Sequence, residues 1–370
     1  ESTFLIAIHL LKNIREKRIP VVLGGVFATF ATERVLDFPE IDIICSGEGE
    51  SALLELCEKM RDGEDFHQVS GLWINGRNGD VIRNPIGPPV DINSNPTDFD
   101  IGLFEDRRLY RPMAGKLYRM LSVETERGCP FRCTYCNSPS QEDMYRKITG
   151  DSFFRKKSFE KVRDEIINYR DVWKAEYIFF WADTFLAMSK GELDQFCEMY
   201  ADIKLPFFIQ TRPETISREA FVKLKNVGLH RVALGAEQGN EEYRRKVLGK
   251  TCTNKQYIES AQILHDLDIS FSSFNMIGLP YENINTINDT IKLNELINPD
   301  LCFVSVFRPY PETDLFKLCK KEGWITNKKT ISFSEGISIL NQPTLSEKLL
   351  KEKLNEFKQK FNCPDYILDT

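Results

Sequence analysis

The chain has 370 residues, 42% of them hydrophobic, and a formal net charge of −6. That length can bury a full core in one large domain or two ordinary ones, and an acidic balance is not tuned for general binding to polyanions such as nucleic acid. No apolar run approaches the ~20 residues of a bilayer-spanning helix, and no charged segment precedes an apolar signal-like stretch.

Residues 3–18 place Phe4, Leu5, Ile8, Leu11 and Ile14 at helical spacing, and Ser2 or Thr3 can cap the start. His9 on that apolar helix reads as a core or edge histidine. "IPVVLGG" and "IDIICSGEGE" are short apolar runs closed by glycines, as buried parallel strands are, and "SALLELCEKMRDG" reads as a helix ending at Gly63. Helix and strand alternate here as in the back half of a doubly wound α/β sheet. Two strands alone are marginal, and the chain opens on Glu1 rather than Met. The expectation is an incomplete domain over 1–70, with roughly 60–100 residues preceding it in the whole protein. Residues 71–117 are expected as a linker, with a hairpin around Asn78-Gly79 and then the Pro/Asn/Asp-rich "PIGPPVDINSNPTDFD".

From 118 a β/α rhythm sets in. Strands are expected at 118–124, 177–181, 207–211, 231–235, 270–277 and 301–307, with helices near 158–173, 189–203, 217–227, 254–267 and 284–296. Six such units with right-handed crossovers make a partial (β/α)6 TIM-like barrel over 118–325. Residues 326–370 form an extension with a helix near 345–361.

Seven of the ten cysteines are scattered, mostly in apolar segments, as buried thiols of a cytoplasmic protein are. The other three, Cys129, Cys133 and Cys136, fall just after the first barrel strand in "ERGCPFRCTYCNSP". Catalytic groups of such barrels sit at strand C-terminal ends. Three thiolates can hold one metal cluster and leave a vertex to a non-protein ligand. Structural zinc or a ferredoxin-type cluster would need a fourth ligand, and none is near in sequence. A basic run follows (Arg146, Lys147, Arg155, Lys156, Lys157, Lys161, Arg163). It reads as a solvated helix start and loop, with an anionic-substrate role as the alternative.

"RGCPFRCTYC" resembles the signature of the radical S-adenosylmethionine superfamily. The resemblance implies that Cys129, Cys133 and Cys136 hold a 4Fe–4S cluster whose open iron takes the amino and carboxylate groups of S-adenosylmethionine. The reduced cluster then cleaves that molecule to a 5′-deoxyadenosyl radical. Tyr135 would lie beside the adenine. "WADTF" resembles the segment that receives the methionyl ammonium, with Asp183 and Thr184 as the polar positions. "QTRPETIS" resembles the family's Arg-Pro turn, where Arg212 could reach a carboxylate or pair with Glu214. "GAEQGNEEYRRKVLGK" would give Glu237 to the ribose hydroxyls and Arg244 to the methionyl carboxylate, with Gln238 where Ser is usual. The front piece resembles a cobalamin-binding domain, implicating Ser2, Thr3, Gly24, Gly25, Gly47, Glu48 and Gly49.

The resemblance implies a cobalamin-dependent methyltransferase acting on an unactivated carbon of a small molecule, supplied with electrons by a flavodoxin- or ferredoxin-like donor. The alternatives are a radical cyclase or rearrangement enzyme, a tRNA methylthiotransferase-like enzyme, and a non-catalytic iron–sulfur or zinc module. The methylthiotransferase reading lacks a second cysteine trio in the front domain, and the non-catalytic one leaves Glu237 and "WADTF" unexplained.

Overall fold

The computed structural model describes residues 2–12, 19–76, 80–97, 100–328 and 336–364, which fall into two compact units. The first gathers Glu1–Asp91, Thr134–Phe153 and Pro309–Ser332; the second gathers Ile92–Cys133, Phe154–Arg308 and Phe333–Thr370.

The first unit runs α1 (Ser2–Lys12), β1 (Val22–Leu23), α2 (Val26–Phe30), α3 (Thr32–Val35), β2 (Ile43–Cys45), α4 (Glu50–Asp62), β3 (Leu72–Asn75) and β4 (Val81–Arg83). It also takes α5 (Ser138–Thr149) and α12 (Asp314–Lys321), numbered in chain order. α4 ends on Gly63 at φ 71°, a left-handed position that costs glycine no Cβ clash. β1 and β2 pair in parallel, as their apolar runs predict. The hairpin beyond them is not a separate linker element, because β3 pairs antiparallel with β2 from Cys45 opposite Leu72. Alternation along β3 buries Leu72 and Ile74 against Ile43 and Leu56, which draws the hairpin into the sheet. Its tip, including Asn78-Gly79, lies outside the described residues.

The second unit is built on a seven-stranded sheet ordered β13-β12-β11-β10-β9-β6-β5. β5 (Tyr110–Met113) is antiparallel to β6 (Lys116–Glu124). A two-stranded ribbon, β7 (Glu126–Arg127) with β8 (Arg155–Lys156), follows β6. Then come α6 (Phe159–Asp171), β9 (Tyr177–Trp181), α7 (Lys190–Tyr200), β10 (Phe207–Thr211), α8 (Arg218–Val227), β11 (Leu229–Glu237), α9 (Glu241–Val247), α10 (Asn254–Asp266), β12 (Ser270–Ile277), α11 (Ile284–Ile297), β13 (Leu301–Val306) and α13 (Glu347–Phe361). From β6 through β9 to β13 every neighbouring pair is parallel, giving the six-unit partial barrel.

Local chemistry fixes these elements. Ser189 with Glu192, Thr253 with Gln256, and Asn283 with Thr286 form capping boxes at the starts of α7, α10 and α11. Each strand turns alternate residues outward, where Ile178, Phe180, Phe207, Ile209, Val232, Leu234 and Phe271 meet Ile166, Phe196, Phe221 and Leu264 of the helices. Phe180, Phe196, Tyr200 and Phe207 form an aromatic knot with centroids 4.8–5.9 Å apart. Burying each ring fully stabilises by roughly 2–3 kcal/mol. One outward polar group interrupts this layer. Asn275 of β12 exchanges hydrogen bonds with Asn294 of α11 at 2.8 and 3.4 Å and donates to the Phe303 carbonyl of β13 at 3.0 Å. Ser273 donates to Asn294 Oδ1 at 2.6 Å.

Candidate active site

β6 ends at Glu124, and the chain turns through Glu126 and Arg127 into the cysteine loop. Cys129 and Cys133 belong to the second unit; Cys136, three residues on, belongs to the segment counted with the first. Later strand ends of the second unit bring polar groups to the first two sulfurs. Thr184, buried just past β9, places Oγ1 3.6 Å from Cys129 Sγ. Arg212, just past β10, donates from Nη1 to Cys133 Sγ at 3.2 Å. Cys136 Sγ accepts from the Ser138 amide at 3.4 Å. N–H and O–H donors around sulfur are the means by which proteins stabilise and tune thiolate-held iron–sulfur clusters, so these residues fit such a group. Among the described residues no three His, Cys, Asp or Glu side chains converge closely enough for a single metal ion. A cubane asks for less, since its thiolates sit on separate irons.

Arg212 combines the two roles its sequence left open. Nε donates to Glu214 Oε1 at 2.7 Å, Nη1 reaches Cys133, and the guanidinium lies 3.9 Å from the centroid of the Phe131 ring. Burial alone would lower its pKa, but the Glu214 pair outweighs it and holds the cation firmly charged. Glu214 Oε2 is buried without a hydrogen-bond partner. Such an orphaned acceptor is costly and suits a ligand-binding position.

Asp183 is exposed at the end of β9, and its carbonyl accepts from the Thr184 hydroxyl at 2.9 Å. Below it lies a group that sequence did not single out. Glu126 is buried, accepts from the Thr184 amide at 3.4 Å, and is pushed up to about 8, first by burial and further by Asp183 and Glu192.

Glu237 sits where β11 breaks register. Gly235 pairs with Phe274 and Glu237 with Asn275, so Ala236 is the extra residue of a bulge that re-aims the carboxylate. Glu237 adopts φ 63°, a strained conformation of the kind that clusters at functional sites. Its Oε1 stands 3.5 Å from Lys250 Nζ, both side chains being largely buried, and Lys250 also donates to the Gly235 carbonyl. A Cβ on Gly235 would fall 2.2 Å from Glu237 Oε1, so only glycine leaves room for this pair. Lys250 was missed because its partner lies thirteen residues back, across α9.

Arg244 departs from its expected role. It is fully buried; Nη1 donates to the Gln238 carbonyl at 2.6 Å, while Nε and Nη2 donate to the Cys252 carbonyl at 3.1 and 2.7 Å. Nη2 also reaches Asn254 Oδ1 at 2.8 Å. These bonds knit α9 to α10 and leave the guanidinium committed to the protein. Gln238 is structural too, donating to Glu282 Oε1 at 2.9 Å and to the Thr286 carbonyl at 2.8 Å. Burial pushes Glu282 up to about 7.

In the first unit, Gly47 takes φ 87° and its amide donates to Thr29 Oγ1 at 2.9 Å. The Glu48 amide donates to Tyr145 Oη of α5 at 2.6 Å, and Glu48 Oε2 accepts from the Val90 amide at 2.7 Å. Gly49 caps α4, and Gly25 caps α2 at φ 94°, with Gly24 directly after β1. Ser2 and Thr3 open α1, their side chains lying outside the described residues. Tyr135 is half-buried in the loop between Cys133 and Cys136.

The partial α/β barrel, with three cysteines after its first strand and polar groups at later strand ends, defines a class of catalytic barrel. Residues 123–293 match the radical SAM superfamily. That segment, somewhat under half of the chain, is similar to the superfamily's domain. The chain is 30% identical over 311 residues to the anaerobic magnesium-protoporphyrin IX monomethyl ester cyclase of Rubrivivax gelatinosus, covering 81% of this chain and 53% of that protein. It is 26% identical over 310 residues to an uncharacterized methyltransferase of Pyrococcus horikoshii, covering 83% and 64%. Its fold is shared with the radical S-adenosylmethionine methyltransferase TsrM of Kitasatospora setae, solved with cobalamin and a [4Fe-4S] cluster bound. That match has a TM-score of 0.65 at 17% identity and covers 94% of this chain and 66% of that one. The chain thus spans about half to two thirds of the length of these curated relatives.

Proposed function

We propose that this enzyme holds a 4Fe–4S cluster on Cys129, Cys133 and Cys136, binds S-adenosylmethionine at the open iron, and takes cobalamin in its first unit. The observation that carries the reading is the convergence of Thr184 and Arg212, from two successive strand ends, on Cys129 and Cys133. When bound, the cluster and S-adenosylmethionine supply a 5′-deoxyadenosyl radical, and cobalamin supplies a transferable methyl group.

This chain's own residues bind and orient. Arg212 keeps positive charge beside Cys133 and donates a hydrogen bond to its sulfur. Asp183 offers a carboxylate to an ammonium. The Glu237–Lys250 pair presents an acceptor and a cation together, suited to ribose hydroxyls and a carboxylate. Gly47, Glu48 and Gly49 form a loop whose backbone a flat macrocycle or its nucleotide tail can approach. A one-electron donor of flavodoxin or ferredoxin type completes the system. The substrate is a small molecule that receives a methyl group on an unactivated carbon. Ring closure is the second reading, favoured by the cyclase named at 30% identity.

Anaerobic reconstitution should give about four irons per chain, and dithionite with S-adenosylmethionine should give 5′-deoxyadenosine. Cys133→Ala should abolish both; continued 5′-deoxyadenosine formation in that variant would refute the assignment. Methyl transfer through cobalamin should also release S-adenosylhomocysteine, whereas ring closure should release none.

A further inference from the structure

One cation on the inner face of the barrel has nothing to neutralise it. Alternation along β11 sends Val232, Leu234 and Ala236 to the helices and turns Arg231 and Ala233 inward. Arg231 is the third residue of β11, in register with Phe208 of β10 on one side and Ser270 of β12 on the other. Only 6% of it is exposed, and its Nη2 is buried without a hydrogen-bond partner. Among the described residues no carboxylate forms an ion pair with it. Asp300, exposed just before β13, spends its oxygens on the Phe271 amide at 2.8 Å and the Ser270 hydroxyl at 3.3 Å. The other buried cations Lys157, Lys250, Arg212 and Arg244 all have acceptors.

Around Arg231 stand rings and short apolar side chains. Met120, Tyr177, Phe208 and Ala233 form one inward cluster, each largely buried, and Phe179 stacks on Phe208 at 4.6 Å and 25°. Tyr177 Oη shares a 3.1 Å hydrogen bond with His230 Nδ1. Burial, and then the Arg231 charge, hold that imidazole below its usual range, so it adds no second cation at neutral pH. Lys116 lies over the Tyr118 ring at 4.5 Å but is exposed to solvent.

A buried charge is tolerated when it is paired and hydrogen-bonded. We propose that Arg231 binds a small carboxylate monoanion, of formate or acetate size, at the N-terminal end of the barrel. The guanidinium fork matches the two oxygens of a carboxylate. One positive charge neutralises a monoanion, whereas a phosphate dianion would carry surplus charge in among the rings. Close packing of Met120, Tyr177 and Ala233 keeps the occupant small. Arg231 precedes Glu237 along β11, so this site stands at the opposite end of the strand from the proposed cofactor groups. The assignment is independent of the radical reading.

Sodium acetate serves as the probe, titrated into the full chain at neutral pH in exchange for sodium chloride at constant ionic strength, with melting temperature as the readout. Acetate also stabilises proteins by exclusion from their surface, an effect that grows steadily with concentration and is equal in all variants. Binding at Arg231 adds a saturable rise of about 2 °C or more once acetate exceeds its dissociation constant about tenfold. Arg231→Met keeps the length and loses the charge, and the saturable part should vanish. Arg231→Lys keeps the charge without the fork, and should need about tenfold more acetate for half the rise. Lys116→Met should leave the rise intact. No saturable rise over chloride, an equal rise in Arg231→Met, an equal loss in Lys116→Met, or a larger rise with inorganic phosphate would each overturn the proposal. Should Arg231→Met not fold, acetate against chloride on the parent and on Arg231→Lys still decides.

Discussion

Burial governs the ionisation of the groups around the cysteine loop. Glu126 titrates near 8 when folded and near the ordinary glutamate value of about 4.3 when unfolded. Between those values the folded state binds more protons, so this residue's contribution to stability falls as pH rises through that window. Glu126→Gln removes the slope. Its melting temperature relative to the parent should climb from pH 5 to pH 8.5 in scanning fluorimetry, and parallel curves would mean Glu126 ionises in the ordinary range. Arg212→Ala strands Glu214 beside a buried thiol. With the Glu214 side chain 20% accessible, the cost should be about 3 kcal/mol by urea unfolding, the lower end for a broken buried pair. The cysteines were legible in sequence because their spacing is local. Glu126, Lys250 and Arg231 were not, since their roles depend on surroundings that only the folded chain brings near. Arg244 misled for the same reason: α9 turns it onto the Cys252 carbonyl.

Among elements, those with their own end signals were readable. The strands at 177–181, 207–211 and 270–277 begin and end as the sequence predicts, and the helices start at capping residues. β5 was not readable, because three of its four residues are exposed and it lacks an apolar alternation. The loop after β2 carries an element-scale prediction. A Cβ at Gly47 would meet Ile86 Cγ2 at 2.7 Å and Tyr145 Oη at 2.8 Å, on a backbone at φ 87°. Gly47→Ala should cost roughly 2–3 kcal/mol through overpacking and backbone strain, and Tyr145→Phe about 1 kcal/mol through its lost hydrogen bond. Because both act on one contact, the double variant should lose less than the sum. Strict additivity in denaturant titrations would show that α5 does not hold this loop.

At the scale of the whole molecule, the basic run after the cysteines shows how charge is spent. Lys156 pairs with Glu192 at 2.7 Å, Lys157 with Glu165 at 2.8 Å, and Arg163 with Asp202 at 2.7 Å. Arg146 pairs with Glu142. A chain of net charge −6 whose local cations are paired in this way should not retain tRNA at ~0.15 M salt, where phosphate contacts are already weakened. Tight, salt-dependent tRNA binding in a filter assay would reopen the methylthiotransferase reading.

The asparagine pair between β12 and α11 bears on how such a sheet is completed. β13 is an edge strand, and edges are where pairing slips or a foreign strand is captured. A slip of one residue in β12 would rotate Asn275 from Asn294 to the phenyl-lined interior, stranding an amide among rings. The hydrogen bond from Asn275 to the Phe303 carbonyl ties β13 to the same setting. These few polar atoms thus penalise offset pairings of β12 and β13 on the side where α13 packs through Leu350, Leu354 and Phe357.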